Sequence, residues 1–145
     1  GWFRSRSLVR IRRAFAGGGP RLRIVVTHHP MEHTPEDRKE PMRGADRAAR
    51  ALADCGADVI LSGHLHTWRV GPFAQLAGQG GVLQVHAGTG LSTRLRGEPN
   101  DFNLLEVSAD RIHVQRHVAE AGGAGFRLAE CRSFHGGPGR WSADD

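Results

Sequence analysis

The chain has 145 residues, of which 39% are hydrophobic and 24% are charged, a composition typical of one ordinary folded domain. The sequence excludes a transmembrane protein, because no apolar run reaches the roughly 18 residues that a spanning helix needs. It also excludes a wholly disordered chain, which would combine low hydrophobicity with extreme charge. The two cysteines, Cys55 and Cys131, are too few for a disulfide scaffold and favour a reducing, cytoplasmic compartment.

The net charge of +5 is unevenly distributed. Residues 1–23, the basic arm, contain seven arginines and no acidic residue, whereas the rest of the chain has 13 basic and 15 acidic residues. A nucleic-acid-binding domain would spread its basic residues over a folded face. We therefore predict no specific nucleic-acid partner and no membrane partner.

The first half of the chain has the pattern of an α/β unit. Its predicted elements are a helix over residues 5–16 with Leu8, Ile11 and Phe15 on one face, a buried strand over 22–27, a loop over 30–42, a helix over 44–53 and a second buried strand over 58–62. His28-His29-Pro30 follows the first strand, and Gly63-His64-Leu65-His66 follows the second. Open α/β sheets bind ligands at the edge where such strands end.

The second half changes to short strands with turn signals between them. Residues 82–87, 102–107 and 111–118 predict antiparallel strands, and residues 126–131 are a candidate for one more. Residues 136–145 predict a flexible tail, which leaves residues 1–135 as the folded domain.

The histidines at the two strand ends predict a metal site. His64 and His66 are two residues apart, a spacing that points both side chains the same way in extended backbone. His28 ends the other strand, and a pair of parallel strands joined by one helix would bring it close to them. Neutral imidazole suits Zn²⁺, Fe, Mn²⁺ or Ni²⁺. We therefore predict that His28, His64 and His66 bind metal.

These motifs resemble the calcineurin-like metallophosphoesterases over residues 8–120. The stretch of residues 87–100 also resembles the class III cyclic-nucleotide phosphodiesterase type. The resemblance implies an α/β sandwich with parallel strands followed by antiparallel strands, two divalent metal ions (Mn, Fe or Zn) and hydrolysis of phosphate mono- or diesters. It assigns His28 and His64 to one metal and His66 to the other, and does not count His29. It assigns Arg94 and Arg96 to binding of the substrate phosphate.

The chain departs from the family pattern in one respect. The family begins with Asp-x-His, Gly-Asp-x-x-Asp and Gly-Asn-His motifs, and none of these occurs here. The bridging carboxylate that a two-metal site needs is therefore missing. The resemblance thus implies a carboxyl-terminal half with no catalytic residue of its own, which is inactive alone. A general base would have to come from Glu32, Glu36 or Asp37 in the loop. The alternative is a non-catalytic metal- or anion-binding module with a degenerate site and a basic arm.

Overall fold

The computed structural model describes residues 4–17, 19–31, 42–73, 81–95, 97–137 and 139–144. These residues form two helices and two four-stranded sheets. The elements in chain order are α1 (Ser5–Phe15), β1 (Ile24–Val26), α2 (Ala45–Asp54), β2 (Val59–Ser62), β3 (Arg69–Phe73), β4 (Val82–His86), β5 (Asp101–Val107), β6 (Arg111–Ala119), β7 (Phe126–His135) and β8 (Ser142–Ala143).

The first sheet has the strand order β1-β2-β4-β3. β1 pairs in parallel with β2, so that Val26 lies opposite Leu61, and β2 pairs in parallel with β4. β3 closes the sheet as an antiparallel strand beside β4. Because α2 returns the chain between two parallel strands, β1 and β2 end at the same edge of the sheet. That edge carries the histidines.

The second sheet has the order β5-β6-β7-β8 and is antiparallel throughout. Its inner face meets the first sheet in a buried cluster that contains Val59 and Val85 from one sheet and Ile112 and Phe134 from the other. The opposite face of the first sheet is covered by α2, whose four buried residues are Ala45, Ala48, Ala49 and Leu52. The protein is therefore a layered α/β sandwich, as the sequence predicts.

The helix predicted in the basic arm is confirmed. Its apolar residues Leu8, Ile11 and Phe15 pack against the cluster beneath α2, while the arginines of α1 are exposed. The amphipathic pattern of α1 explains this packing, because the apolar stripe of a helix is stabilised when it covers the core. Neither of the described helices is long and apolar enough to cross a bilayer.

The prediction that β1 is a buried strand is wrong. β1 is the first strand of its sheet, and it is shorter than predicted, with Val25 buried on one face. Ile24 and Val26 point away from the helices, and 75% of Val26 is exposed. A run of apolar residues does not show whether both faces of an edge strand are covered by other parts of the fold.

The prediction for β4 is partly confirmed. The sequence predicts an antiparallel strand over residues 82–87, and β4 does pair antiparallel with β3, but it also pairs in parallel with β2 in the first sheet. Val82, Leu83 and Val85 are all buried, and burial on both faces is typical of a parallel strand covered on each side. β3 was not predicted, because Gly71 and Pro72 interrupt its pattern; Pro is tolerated there because β3 is the last strand of the sheet.

The predicted flexible tail is partly ordered. Trp141 is 1% exposed and belongs to the cluster between the sheets. Its backbone pairs with Gly81, and β8 pairs with β7 directly after it. A glycine-rich stretch looks like a loose end in sequence, but a single large aromatic side chain buries enough apolar area to anchor it.

Candidate metal centre

Three imidazole rings meet where β1 and β2 end. Nδ1 of His64 lies 3.0 Å from Nε2 of His28. The ring centroid of His29 is 4.9 Å from that of His28 and 4.1 Å from that of His64. One nitrogen atom from each ring falls within 4.8 Å of the other two. The predicted convergence of His28 and His64 is therefore observed, with His29 as the third member.

Backbone hydrogen bonds hold the two strand ends together. The amide of Thr27 donates to the carbonyl of Leu61 over 2.9 Å, and the amide of Gly63 donates to the carbonyl of His28 over 3.3 Å. The hydroxyl of Thr27 donates to the carbonyl of His29 over 2.8 Å. These bonds extend the β1–β2 pairing into the histidine segments, so the rings are placed by the sheet itself.

His66 is not a member of this three-ring group. The prediction that it joins His64 assumes extended backbone, but His64 and His66 have φ values of 79° and 65°. In this left-handed region, side chains two residues apart need not point the same way. Nδ1 of His66 is buried and has no hydrogen-bond partner among the described residues. Its assignment as a metal ligand stays a prediction.

Two left-handed non-glycine residues so close together indicate a constrained turn. Such conformations cost on the order of 1–3 kcal/mol each and cluster at functional sites, where surrounding contacts hold them. Here the turn directly follows β2 and carries His64 into the group.

The donor set fits a divalent metal ion. Neutral imidazole nitrogen is a good ligand for Zn²⁺, with Zn–N distances of about 2.0–2.1 Å, which place two tetrahedral ligand atoms about 3.3 Å apart. The separation of 3.0 Å between His28 and His64 is close to that value, and one nitrogen atom from each of the three rings lies within 4.8 Å of the other two. No carboxylate among the described residues belongs to the group.

The other predicted site residues lie either apart from the histidine group or outside the described residues. Arg94 lies exposed in the β4–β5 loop, residues 87–100, where its amide donates to the hydroxyl of Ser92 over 3.1 Å. Arg96 lies outside the described residues, as do Glu32, Glu36 and Asp37. Their roles stay predictions. The family resemblance did not count His29 as a ligand. Its position beside His28 at a strand end was the feature of the sequence that indicated it as a candidate.

A buried ion pair fixes the loop next to this edge. Asp101 is 2% exposed, and its carboxylate accepts hydrogen bonds from Nε of Arg116 over 2.8 Å and from the amide of Gly88 over 3.0 Å. Gly88 is required here, because a Cβ at that position would lie 2.6 Å from the carboxylate. Burial raises the pKa of Asp101 above its ordinary value, although the hydrogen bond and charge of Arg116 oppose this.

Arg116 extends the pair into a clamp with the segment that follows His66. Its guanidinium also pairs with Glu98, and Glu98 accepts the backbone amide of Trp68 over 3.1 Å. The guanidinium carbon lies 5.2 Å from the centre of the Trp68 ring, a cation–π distance. The clamp therefore ties the β4–β5 loop, the segment after β2 and the second sheet together.

The structure has two packed sheets, a parallel strand pair that ends in histidines, and helices on the outer face of the first sheet. This arrangement is a metallophosphoesterase-like fold. Solved structures that resemble it include those of Vps29, which has the calcineurin-like metallophosphoesterase fold. Vps29 of Chaetomium thermophilum matches with a TM-score of 0.51 and 12% identity, over 82% of this chain and 57% of that one. Vacuolar Protein Sorting 29 of Cryptosporidium parvum matches with a TM-score of 0.50 and 19% identity, over 78% of this chain and 52% of that one.

These matches show the fold alone, and they confirm the predicted fold class. The chain spans about half the length of the Vps29 structures that it matches. No protein-family model matches the chain, and no curated protein matches it.

Proposed function

We propose that this chain is the metal-binding part of a phosphoester hydrolase of the metallophosphoesterase type. The observation that carries the proposal is the group of three imidazoles, His28, His29 and His64, at the ends of two parallel strands. A divalent ion bound there would supply Lewis-acid polarisation of a phosphoryl oxygen. The histidines would hold that ion, and the clamp centred on Arg116 would keep the neighbouring loop in place.

The finer features of the proposal come from the family resemblance. The substrate would be a phosphate mono- or diester, with cyclic nucleotides as one class. Arg94 and Arg96 would contact its phosphate, and a second metal ion would complete the site. The protein would act in the cytoplasm. A guanidinium suits the phosphate role because it can donate two parallel hydrogen bonds to phosphate oxygens.

The edge of the first sheet supports the proposal that this chain is the carboxyl-terminal part of a larger site. β1 is the first strand of its sheet, and Ile24 and Val26 are exposed apolar residues on it. An exposed apolar edge strand is a template for pairing with another strand. A parallel strand added beside β1 would end next to His28 and could bring the carboxylates that the histidine group lacks.

A second candidate is a non-catalytic metal-binding module. It is favoured by the histidine group itself, which contains no carboxylate among the described residues. The name of the similar structures, Vacuolar Protein Sorting 29, also fits a role other than hydrolysis. The two candidates share the metal site and differ in turnover.

We expect the chain alone, with Zn²⁺ or Mn²⁺, to hydrolyse a chromogenic phosphodiester at no more than about ten times the rate of the metal ion alone. Losing one group that stabilises transition-state charge can cost on the order of 10²–10³ in rate, and the chain lacks the family's Asp and Asn motifs altogether. Absorbance of the released phenolate measures this rate.

The matched control is His64→Ala, which removes a member of the histidine group. Robust turnover that His64→Ala abolishes would show that this chain is a complete enzyme, and the part-site proposal would be wrong. Calorimetric titration of the same two proteins with Zn²⁺ and Mn²⁺ tests the metal site separately. If neither ion binds the unmodified chain, both candidate functions fail.

A further inference from the structure

β4 lies beside β2 and ends at the same edge of the first sheet as the histidine group. Its last residue, His86, is 1% exposed, and Gln84 lies two residues before it on the same face of the strand. Val82, two residues earlier still, packs in the cluster beneath α2, so this face of β4 lies inside the fold. Polar side chains in such a place are held by hydrogen bonds, and these two bond to the two segments that carry the histidine group.

Gln84 contacts the segment that carries His28 and His29. The backbone amide of Met31 donates to Oε1 of Gln84 over 3.0 Å. Met31 is 1% exposed, so this bond lies away from water, where removal of the acceptor would leave the amide unpaired at a cost. The pairing of Thr27 with β2 holds the chain before the two rings, and Gln84 holds it after them. The histidine pair is therefore fixed at both ends.

His86 contacts the end of the strand that leads to His64. Nδ1 of His86 lies 3.2 Å from Oγ of Ser62, the last residue of β2, and both residues are buried. The amide of Ala87 also donates to the carbonyl of Ser62 over 2.9 Å. Ser62 comes two residues before His64, whose backbone is left-handed. Such a strained turn persists only where its surroundings over-determine it, and the bond to His86 is one of the contacts at its start.

We propose that Gln84 and His86 are positioning residues of the candidate metal centre. Each holds one of the two segments whose rings meet, and both belong to one strand that is paired on both sides, so β4 sets the separation of His28 and His64. Their role toward a metal ion rests on the proposed metal-binding function, whereas their effect on the rings before an ion binds does not.

Two measurements test this role. Nuclear Overhauser effects between the rings of His28 and His64, whose centroids are 4.8 Å apart, report the ring placement in metal-free protein. Calorimetric titration with Zn²⁺ reports the metal affinity. We expect Gln84→Met and His86→Leu to lose the ring-to-ring signal, since each removes the hydrogen-bonding group and leaves an apolar side chain in its place. We also expect each to weaken Zn²⁺ binding at least about ten-fold, because removing groups that orient metal ligands typically costs about 10–100-fold.

Conservative variants separate positioning from simple packing. His86→Asn keeps a polar atom near the place of Nδ1, so it should restore the ring-to-ring signal and bring the Zn²⁺ affinity to within about three-fold of the unmodified protein. Gln84→Glu likewise keeps an oxygen that can accept the amide of Met31. Circular dichroism and urea denaturation check folding. If His86→Leu fails to fold, Gln84→Met and the two conservative variants decide the result.

The matched control is His113→Leu. His113 makes the same kind of bond, with its Nδ1 2.8 Å from Oγ of Ser133, but on the second sheet. We expect this variant to keep the ring-to-ring signal and to change the Zn²⁺ affinity less than about two-fold. Equal losses in His86→Leu and His113→Leu would mean a general loosening of the fold. Unchanged ring placement in Gln84→Met and His86→Leu would mean that β4 does not position the rings, and either result overturns the proposal.

The two measurements also separate this role from the proposed function. If the unmodified chain shows the ring-to-ring signal and Gln84→Met and His86→Leu lose it, but Zn²⁺ does not bind, the metal-binding proposal fails and the placement of the rings by β4 stands. If Zn²⁺ binds the unmodified chain and these variants equally, the metal site stands and the positioning role is wrong. Absence of the ring-to-ring signal in the unmodified protein would also overturn the positioning role.

Discussion

The affinity for Zn²⁺ is expected to fall at least about 100-fold when His64 is replaced by alanine. Loss of groups that merely orient a metal ligand typically costs 10–100-fold, and His64 is a candidate ligand with its Nδ1 3.0 Å from His28. The remaining two imidazoles would leave the ion without the three protein ligands that open zinc sites use. Isothermal titration calorimetry of the chain and the His64→Ala variant measures the change.

Single substitutions distinguish the two possible ligand sets. The geometry predicts that His29→Ala weakens Zn²⁺ binding as strongly as His64→Ala, whereas His66→Ala changes it little. The family resemblance predicts the opposite, namely that His66→Ala weakens Zn²⁺ binding strongly and that His29→Ala changes it little. His117→Ala is the matched control, because His117 lies on the second sheet stacked on Phe102. If His117→Ala weakened binding as much as the others, the measured site would not be the one at the strand ends.

Replacing Asp101 with alanine is expected to lower the free energy of unfolding by about 3 kcal/mol. Removing one partner of a buried ion pair typically costs 3–5 kcal/mol, because the other charge stays buried without compensation. The low end applies here, since the side chain of Arg116 is 11% exposed and keeps its pairing with Glu98. Urea denaturation followed by circular dichroism measures the loss.

Two controls locate the origin of this effect. Asp101→Asn keeps an oxygen that can accept the amide of Gly88, so it should cost less than Asp101→Ala. Asp110→Ala removes an exposed carboxylate in the turn between β5 and β6 and should stay within about 0.5 kcal/mol of the unmodified protein. A loss below about 1 kcal/mol for Asp101→Ala would mean that the clamp does not stabilise the fold.

Local sequence pattern was sufficient for the elements whose burial is decided within one segment. The alanines and Leu52 of α2 recur at helical spacing, and all four lie buried as predicted. The apolar stripe of α1 likewise packs as expected. The meeting of His28 and His64 could also be predicted, because a helix between two parallel strands leaves only one edge at which both strands end.

Other features depended on contacts between distant segments. The exposure of Val26 depends on which strands flank β1, and the burial of Trp141 depends on the gap between the two sheets. β4 pairs in parallel with β2 and antiparallel with β3, an arrangement that its own five residues do not indicate. The direction of each neighbouring strand was therefore decided by the assembly of the sheet, not by the sequence of β4.

The sequence by itself determined that histidines gather at one edge of a parallel pair, because a strand–helix–strand order makes β1 and β2 parallel and the histidines follow both strands. Only the tertiary structure decided which histidines meet. The left-handed backbone at His64 and His66 breaks the alternation that extended chain would impose, and His29 takes the third position. Side-chain direction in a turn and contacts between separate helices are set by packing across the whole fold, which no single segment encodes.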